Sequence, residues 1–209
     1  MERSGACRDR WCLFPEPCPS LRNDHRRQTE LLRKLRSLPG VRHVFVSSGV
    51  RHDLVIDDRR SGLSYLRELT AHHVSGQLKL APEHSEERVL ELMGKAGRRH
   101  LTEFKDAFDR LSREAGRRQF LTYYLMAAHP GCADEDMRKL AEFSRRELHL
   151  RPEQVQIFTP TPSTWSSVMY RTGVDPFSGR KLFVEKTDRG RQRQKNIVAE
   201  SPGKTSRRN

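Results

Sequence analysis

The chain has 209 residues, a formal net charge of +13, 32% charged residues and 34% hydrophobic residues. This length allows one ordinary domain with a core, although the hydrophobic fraction is low for a globular protein. No stretch is apolar enough to cross a bilayer, and the N-terminus lacks the apolar region of a secretory signal. We therefore expect no membrane association and, with four cysteines in a chain of this kind, a reducing cytoplasmic location.

The excess of arginine and lysine indicates an anionic partner such as a nucleic acid or a phosphorylated ligand. The same excess is typical of solvated helix faces and tails. The basic residues are dispersed and few aromatic side chains lie among them, which favours the solvated faces. A basic nucleic-acid-binding module without catalysis is therefore kept as the alternative function.

The first 23 residues are rich in cysteine, proline and arginine and show no hydrophobic period. Cys7, Cys12 and Cys18 cluster there and are able to hold zinc or an iron–sulfur cluster as thiolates. Their spacing fits no standard zinc finger, so ordinary reduced thiols are the alternative. The residues 1–23 are treated as a separate Cys/Pro-rich segment.

Helical and strand patterns alternate from residue 24 onward. Leucines at helical spacing open the series and Pro39-Gly40 ends the first helix. In chain order the predicted elements are a helix at 24–38, a strand at 41–47, a helix at 63–72, a strand at 76–80, helices at 85–93 and 102–115, a strand at 119–127, a helix at 134–147 and a strand at 155–158. This order predicts an α/β fold with about four parallel strands and flanking helices.

The pattern is lost after Gly173, and residues 186–209 are basic and polar. We therefore predict a folded part at 24–173 and a basic, disordered segment at 174–209.

Polar residues follow the carboxyl end of each predicted strand. They are Ser48 and Arg51, Glu83 and His84, His129 with Pro130-Gly131, and Thr159 to Pro162. Because the carboxyl ends of parallel strands share one edge, and ligands of α/β proteins bind at that edge, these residues indicate a site. The alternative is that loops between strands and helices are ordinarily rich in Gly, Pro and polar residues.

Several of these side chains suit an anionic or hydroxylated ligand. Lys79 lies between Leu78 and Leu80 and points to the opposite face, so it either holds a carboxylate in a barrel interior or is an exposed lysine. The fork of Arg51 is suited to a carboxylate or phosphate. Glu83 with His84, and His129, either contact a ligand or form structural caps and turns.

Longer runs of residues occur in the order of one known family. They are 7–19, 38–41, 48–54, HHVSGQLKLAPEH at 72–84, AAHPG at 127–131, 134–137 and QVQIFTPTP at 154–162. Together they resemble the YgiQ family of radical SAM proteins, and the resemblance extends from about residue 6 to about residue 179.

The resemblance implies the second half of a radical-SAM or TIM-like barrel from a longer enzyme. Such an enzyme binds a [4Fe-4S] cluster through a Cys-x3-Cys-x2-Cys loop and uses S-adenosylmethionine to form a radical. This chain lacks that loop, so the resemblance implies a fragment that is inactive alone, has no cluster at the usual place and needs the missing half of the barrel as a partner. The substrate is unknown.

The resemblance also suggests roles for the strand-end residues. Ser48 and Arg51 are expected near the carboxylate of S-adenosylmethionine and Glu83 near its ribose or amino group. The strand that holds Gln156 is expected to pass near the adenine. The full set of expected cofactor-binding residues is Ser48, Arg51, Lys79, Glu83, His84, His129 and Gln156.

Overall fold

The computed structural model describes residues 12–14, 17–152 and 154–199. Its helices are α1 (Arg26–Arg36), α2 (His52–Asp57), α3 (Gly62–His72), α4 (Glu87–Met93), α5 (Arg98–Glu114), α6 (Asp134–Arg146), α7 (Trp165–Thr172) and α8 (Asp188–Ala199). Its strands are β1 (Gln77–Glu83), β2 (Phe120–Ala127) and β3 (Val155–Ile157). In the described part of the chain, no helix combines the length and the apolar composition that a membrane span requires.

The chain forms two compact units. Unit 1 takes its described residues from Met1–Pro82 and Gly94–Tyr123. Unit 2 takes its described residues from Glu83–Met93 and Tyr124–Asn209. The last residue of β1 and the last half of β2 therefore belong to unit 2, together with all of β3.

The strands form an open parallel sheet in the order β1-β2-β3. In the parallel pairing of β2 with β3, Met126 lies opposite Gln156 and Ala127 lies opposite Ile157. Helices lie between consecutive strands in the sequence, as parallel connections require. The predicted α/β class with a parallel sheet and flanking helices is confirmed.

The prediction of a strand at residues 41–47 is wrong, so three strands are present where about four were expected. The segment is fixed by isolated bonds rather than by a ladder: the Val46 N–H donates to the His73 carbonyl (2.8 Å) and the Lys79 N–H donates to the Ser47 carbonyl (3.3 Å). The β-branched residues were correctly read as extended, but a strand is defined by repeated pairing with a neighbour, and the segment makes a single bond to β1.

Side chains alternate between a buried and an exposed face along the strands. Leu78 and Leu80 are buried, whereas Lys79 between them is exposed, so Lys79 points to the opposite face as the alternation predicted. The exposed strand residues are Gln77, Lys79 and Ala81 in β1, Phe120 and Tyr124 in β2, and Gln156 in β3. One side of each strand is thus covered by the protein and the other side is open to solvent.

The core of unit 1 is built from apolar faces of its helices. Helix α5 buries Phe104, Phe108 and Leu111, which recur at the three- and four-residue spacing of one helix face. Helix α3 packs against α5, and its buried residues include Tyr65 and Leu69. The helix predicted at 102–115 is confirmed as α5, which begins earlier, at Arg98.

Unit 2 contains a helix that the sequence did not predict. The basic segment after Gly173 was expected to be disordered, but α8 lies within it and packs against α6 and β3. Gln194 and Val198 of α8 are buried, so a few inward residues suffice to order a helix whose remaining surface is basic and polar. Residues 200–209 of the same predicted segment lie outside the described residues.

Candidate functional site

The carboxyl ends of all three strands belong to unit 2. Two non-glycine residues at these ends have left-handed backbone conformations, Glu83 at the end of β1 (φ 66°) and Ala128 directly after β2 (φ 60°). Such a conformation costs on the order of 1 kcal/mol for a residue with a side chain, and strained residues of this kind concentrate at functional sites. The strand ends are therefore the first place to look for one.

His84 is buried behind the end of β1. Its Nδ1 accepts a hydrogen bond from the Glu86 N–H (3.0 Å), which leaves the ring proton of the neutral histidine on Nε2. That Nε2 lies 3.6 Å from the Cys132 sulfur. Burial raises the pKa of the Cys132 thiol to about 12, so the sulfur is a protonated thiol rather than a nucleophile.

His129 is buried behind the end of β2 and is bonded on both sides of its ring. Nδ1 lies 2.9 Å from the Pro130 carbonyl oxygen, so this nitrogen carries the proton and donates it. Nε2 then accepts a hydrogen bond from the hydroxyl of Ser166 in α7 (2.8 Å). The ring also stands edge-on to Phe158 beyond β3, with 5.1 Å between the ring centroids.

Both histidines are neutral at pH 7. Burial lowers the pKa of His84 to about 4, and burial likewise lowers the pKa of His129 to about 4. A general base works best with a pKa near the working pH. These rings therefore serve as fixed hydrogen-bonding groups that shape the strand ends, and Glu83 is the charged side chain at the end of β1.

An ion pair fixes the loop that follows β2. The guanidinium of Arg88 in α4 binds Asp136 in α6 (Nε to Oδ1, 3.0 Å) and also donates to the Gly131 carbonyl (2.8 Å). Asp136 additionally accepts a hydrogen bond from the Ala133 N–H (2.7 Å) at the start of α6. Gly131 itself has φ 85°, a conformation that favours glycine.

Gln194 of α8 holds the same loop from another side. Its Oε1 accepts a hydrogen bond from the Ala128 N–H (3.0 Å), and its Nε2 donates to the Cys132 carbonyl (3.1 Å). Gln194, Ala128 and Cys132 are all buried, so the amide replaces the water that these backbone groups lose on folding. Helix α8, which the sequence did not predict, thus supports the end of β2.

Ser48, Arg51 and Lys79 lie in unit 1. Ser48 and Lys79 are exposed, and the Lys79 N–H bonds the residue before Ser48. Arg51 pairs with Asp53 (Nε to Oδ1, 2.9 Å), so its guanidinium already has a carboxylate partner. Contact of these three residues with a ligand stays a prediction.

The remaining predicted site residues lie in unit 2, apart from the three cysteines near the N-terminus. In unit 2 the structure brings Glu83, His84 and His129 to the ends of β1 and β2, and Gln156 lies exposed on β3. Cys7 lies outside the described residues, and the Cys18 N–H donates to the Cys12 carbonyl (2.8 Å). Within the part of the chain that the structure describes, no three His, Cys, Asp or Glu side chains are grouped to hold a metal.

Sequence reasoning missed the residues that support the strand ends. Arg88 and Asp136 are 48 positions apart, Gln194 bonds residues more than 60 positions away, and Ser166 lies 37 positions from His129. Local patterns carry no signal for such pairs. The helix at 134–147 was predicted, but the bond from Asp136 to Arg88 was not.

No protein-family model matches the chain. It is similar to proteins named UPF0313: it is 53% identical to one from Fusobacterium nucleatum and 45% identical to one from Methanosarcina mazei, each over 94% of this chain. It is 48% identical over 92% of its length to a third, from Geobacter sulfurreducens. The chain spans about a third of the length of these curated relatives (34%, 31% and 31%).

Proposed function

We propose that this chain is part of a UPF0313 protein that acts as a radical SAM enzyme. In this proposal the parallel sheet is one portion of a TIM-like barrel, and the strand ends in unit 2 hold the nucleoside of S-adenosylmethionine. The chain alone is then a cofactor-binding fragment without activity, as the resemblance to the YgiQ family implies. The substrate of the whole enzyme is not part of the proposal.

The observation that carries the proposal is the exposed face of the strands. All-parallel sheets occur almost only where both faces are covered, whereas here alternate strand residues such as Lys79, Tyr124 and Gln156 are open to solvent. In a barrel these faces line the interior, where side chains and ligand replace water. A chain that spans about a third of its relatives leaves ample sequence to complete such a barrel.

The strand ends add a second line of support. Ligands of parallel α/β folds bind at the carboxyl edge, and both left-handed residues, Glu83 and Ala128, lie there. Three side chains on this edge hold the loop after β2: His129 and Gln194 through buried hydrogen bonds, and Arg88 through a partly buried one. A rigid edge of this kind positions a ligand with little loss of entropy on binding.

The residues of this chain do not fit an iron–sulfur cluster. The sequence contains no Cys-x3-Cys-x2-Cys motif, and the described residues include no cluster of metal-ligating side chains. We therefore derive no step through the cluster here. In the proposal it is bound by the part of the enzyme that lies outside the match.

The strand-end residues do fit a nucleoside. The carboxylate of Glu83 accepts hydrogen bonds from ribose hydroxyls, and the exposed amide of Gln156 matches the donors and acceptors of adenine. When bound, S-adenosylmethionine supplies a sulfonium carbon that serves as the radical source. The task of this chain is to orient the nucleoside, and the neutral rings of His84 and His129 keep the edge in shape without adding charge. Roles for Ser48, Arg51 and Lys79 stay predictions.

A chimaera tests the proposal. The chain replaces the matched 34% of the Fusobacterium protein, and both proteins are purified without oxygen, supplied with iron and sulfide, and reduced. We expect both to release 5′-deoxyadenosine from S-adenosylmethionine. In the chimaera, Glu83→Gln and Gln156→Ala each raise the KM for S-adenosylmethionine roughly tenfold, because each loses one polar contact to a charged or buried group.

The matched controls are Glu91→Gln in α4 and Gln192→Ala in α8, which exchange exposed residues of the same types. If the Fusobacterium protein itself releases no 5′-deoxyadenosine, the radical SAM proposal is wrong. If it does, but the strand-end variants behave as the controls do, these residues do not hold the nucleoside.

A further inference from the structure

Unit 1 contains a cleft that none of the predicted site residues lines. It has a volume of about 990 Å³ and lies between the segment that precedes α1, the first turns of α1, and the turn that joins α2 to α3. Its lining is mostly polar, with Pro19 and Leu21 as the apolar residues, and includes five arginines: Arg22, Arg26, Arg27, Arg59 and Arg60. Three separate parts of the chain thus bring guanidinium groups to one cleft.

Four of the five arginines form no ion pair with any residue that the structure describes. Arg26 is bound by Asp24 on the same segment (Nε to Oδ2, 2.9 Å). Among the described residues, no ion pair involves the other four arginines, which are all exposed. Guanidinium groups without a carboxylate partner are suited to bind phosphate oxygens through paired N–H groups.

The carboxylates around the cleft are mostly engaged elsewhere. Asp58 is buried and accepts hydrogen bonds from the His25 N–H (2.9 Å) and from Ser61, while Asp57 binds His100 (3.1 Å). Asp24 is held by Arg26, which leaves Glu30 as the remaining acid of the lining. The acids therefore do not neutralise the four unpaired arginines directly.

The start of α1 contributes two of the arginines. Arg26 and Arg27 of its first turn line the cleft, and this helix of 11 residues has no acidic residue in its own first turn. Two carboxylates from outside the helix already accept backbone N–H groups there: Asp58 accepts from His25 and Asp24 accepts from Arg26. The exposed arginines, and not the helix N-terminus, therefore offer positive charge to an anion.

We propose that this cleft binds an anion with two or more phosphate groups, either a free polyphosphate or the phosphodiester backbone of a nucleic acid. The described residues of the lining include no aromatic side chain on which a base could stack, so recognition rests on the phosphates. One phosphate lies between Arg59, Arg60 and the turn that carries them. The next lies toward Arg22 and Arg27 at the start of α1. The inference is independent of the radical SAM proposal, which concerns unit 2.

Calorimetric titration of the full chain with inorganic triphosphate at low salt tests this site. We expect saturable binding that weakens by a factor of ten or more in Arg59→Ala/Arg60→Ala, since each charge-assisted contact contributes roughly tenfold. Arg22→Ala and Arg27→Ala weaken it as well. The matched control is Arg113→Ala/Arg118→Ala, which removes two exposed arginines of unit 1 outside the cleft and leaves the affinity within about twofold.

A short duplex RNA distinguishes the two sources of phosphate. If RNA competes with triphosphate and the Arg59→Ala/Arg60→Ala variant lowers the slope of log K against log salt by about two, the cleft binds a nucleic-acid backbone. If triphosphate binds and RNA does not compete, the ligand is a small polyphosphate. The proposal is overturned if neither probe binds, or if the control pair weakens binding as much as the cleft pair does. Far-UV circular dichroism confirms that each variant is folded.

Discussion

Gln194 offers the sharpest test of how unit 2 is held together. The substitution Gln194→Ala removes the acceptor of the Ala128 N–H and the donor to the Cys132 carbonyl, and both backbone groups are buried. A buried donor or acceptor left without a partner costs about 1 to 3 kcal/mol. We therefore expect Gln194→Ala to lower the free energy of unfolding of unit 2 by about 2 to 6 kcal/mol.

Urea unfolding followed by far-UV circular dichroism measures this loss, with the midpoint multiplied by the slope m giving the free energy. The matched control is Gln192→Ala, an exposed residue on the same helix, for which a change of about 0.5 kcal/mol or less is expected. If Gln194→Ala costs no more than the control, the amide does not support the loop after β2. The description of α8 as the support of the strand end would then be refuted.

Three further predictions concern the same unit. The pKa values of His84 and His129 are lowered from 6.5 to about 4 by burial, so protons bind the unfolded chain more strongly in that range. The stability contributed by these two neutral histidines is therefore constant above about pH 6.5 and falls as the pH drops toward 4, by up to about 1.4 kcal/mol per pH unit for each histidine. His52 of unit 1, whose pKa burial also lowers to about 4, adds a fall of the same sign. Urea midpoints at pH 7, 6 and 5 measure the fall, and a flat profile contradicts it. Gly131→Ala lowers the unfolding free energy by roughly 2 to 4 kcal/mol, because a Cβ at this position would collide with a methyl group of Leu92 in α4. The control Gly116→Ala, at φ 64° with open space around the added Cβ, costs only about 1 kcal/mol. Equal losses in thermal melts contradict the close contact. Asp136→Asn weakens the bonds to α4 and to the start of α6 and lowers the unfolding free energy by roughly 2 kcal/mol. Faster hydrogen exchange in the loop after β2 is expected, and unchanged exchange contradicts the prediction.

The sequence predicted the elements that declare themselves locally. The helices predicted at 102–115 and 134–147 and the alternation along β1 are each legible within a short stretch of sequence. The prediction of a strand at 41–47 was wrong because extended residues form a strand only when they pair repeatedly with a neighbouring strand. Helix α8 was missed because Gln194 and Val198 are its main buried residues besides a glycine, too few to show a helical period.

For the candidate site, too, the sequence predicted the positions of the residues but not their chemical state. The sequence could place Glu83, His84 and His129 at the strand ends, because polar residues after parallel strands converge by topology alone. The protonation state of the two histidines could not be predicted from the sequence. Whether a histidine is a free base or a buried, neutral ring depends on desolvation and on partners such as Ser166 and the Pro130 carbonyl.

By itself, the order of the residues determined the α/β class, the parallel direction of the strands and the loops that meet at their carboxyl ends, because helix and strand periods and the handedness of crossovers act over short stretches. Only the tertiary structure decided which strand residues are open to solvent and which arginines around the cleft form no ion pair with a described residue. It also decided that Gln194 bonds the backbone of the loop after β2. Burial and pairing between distant residues are properties of the packed chain, since they depend on which surfaces exclude water.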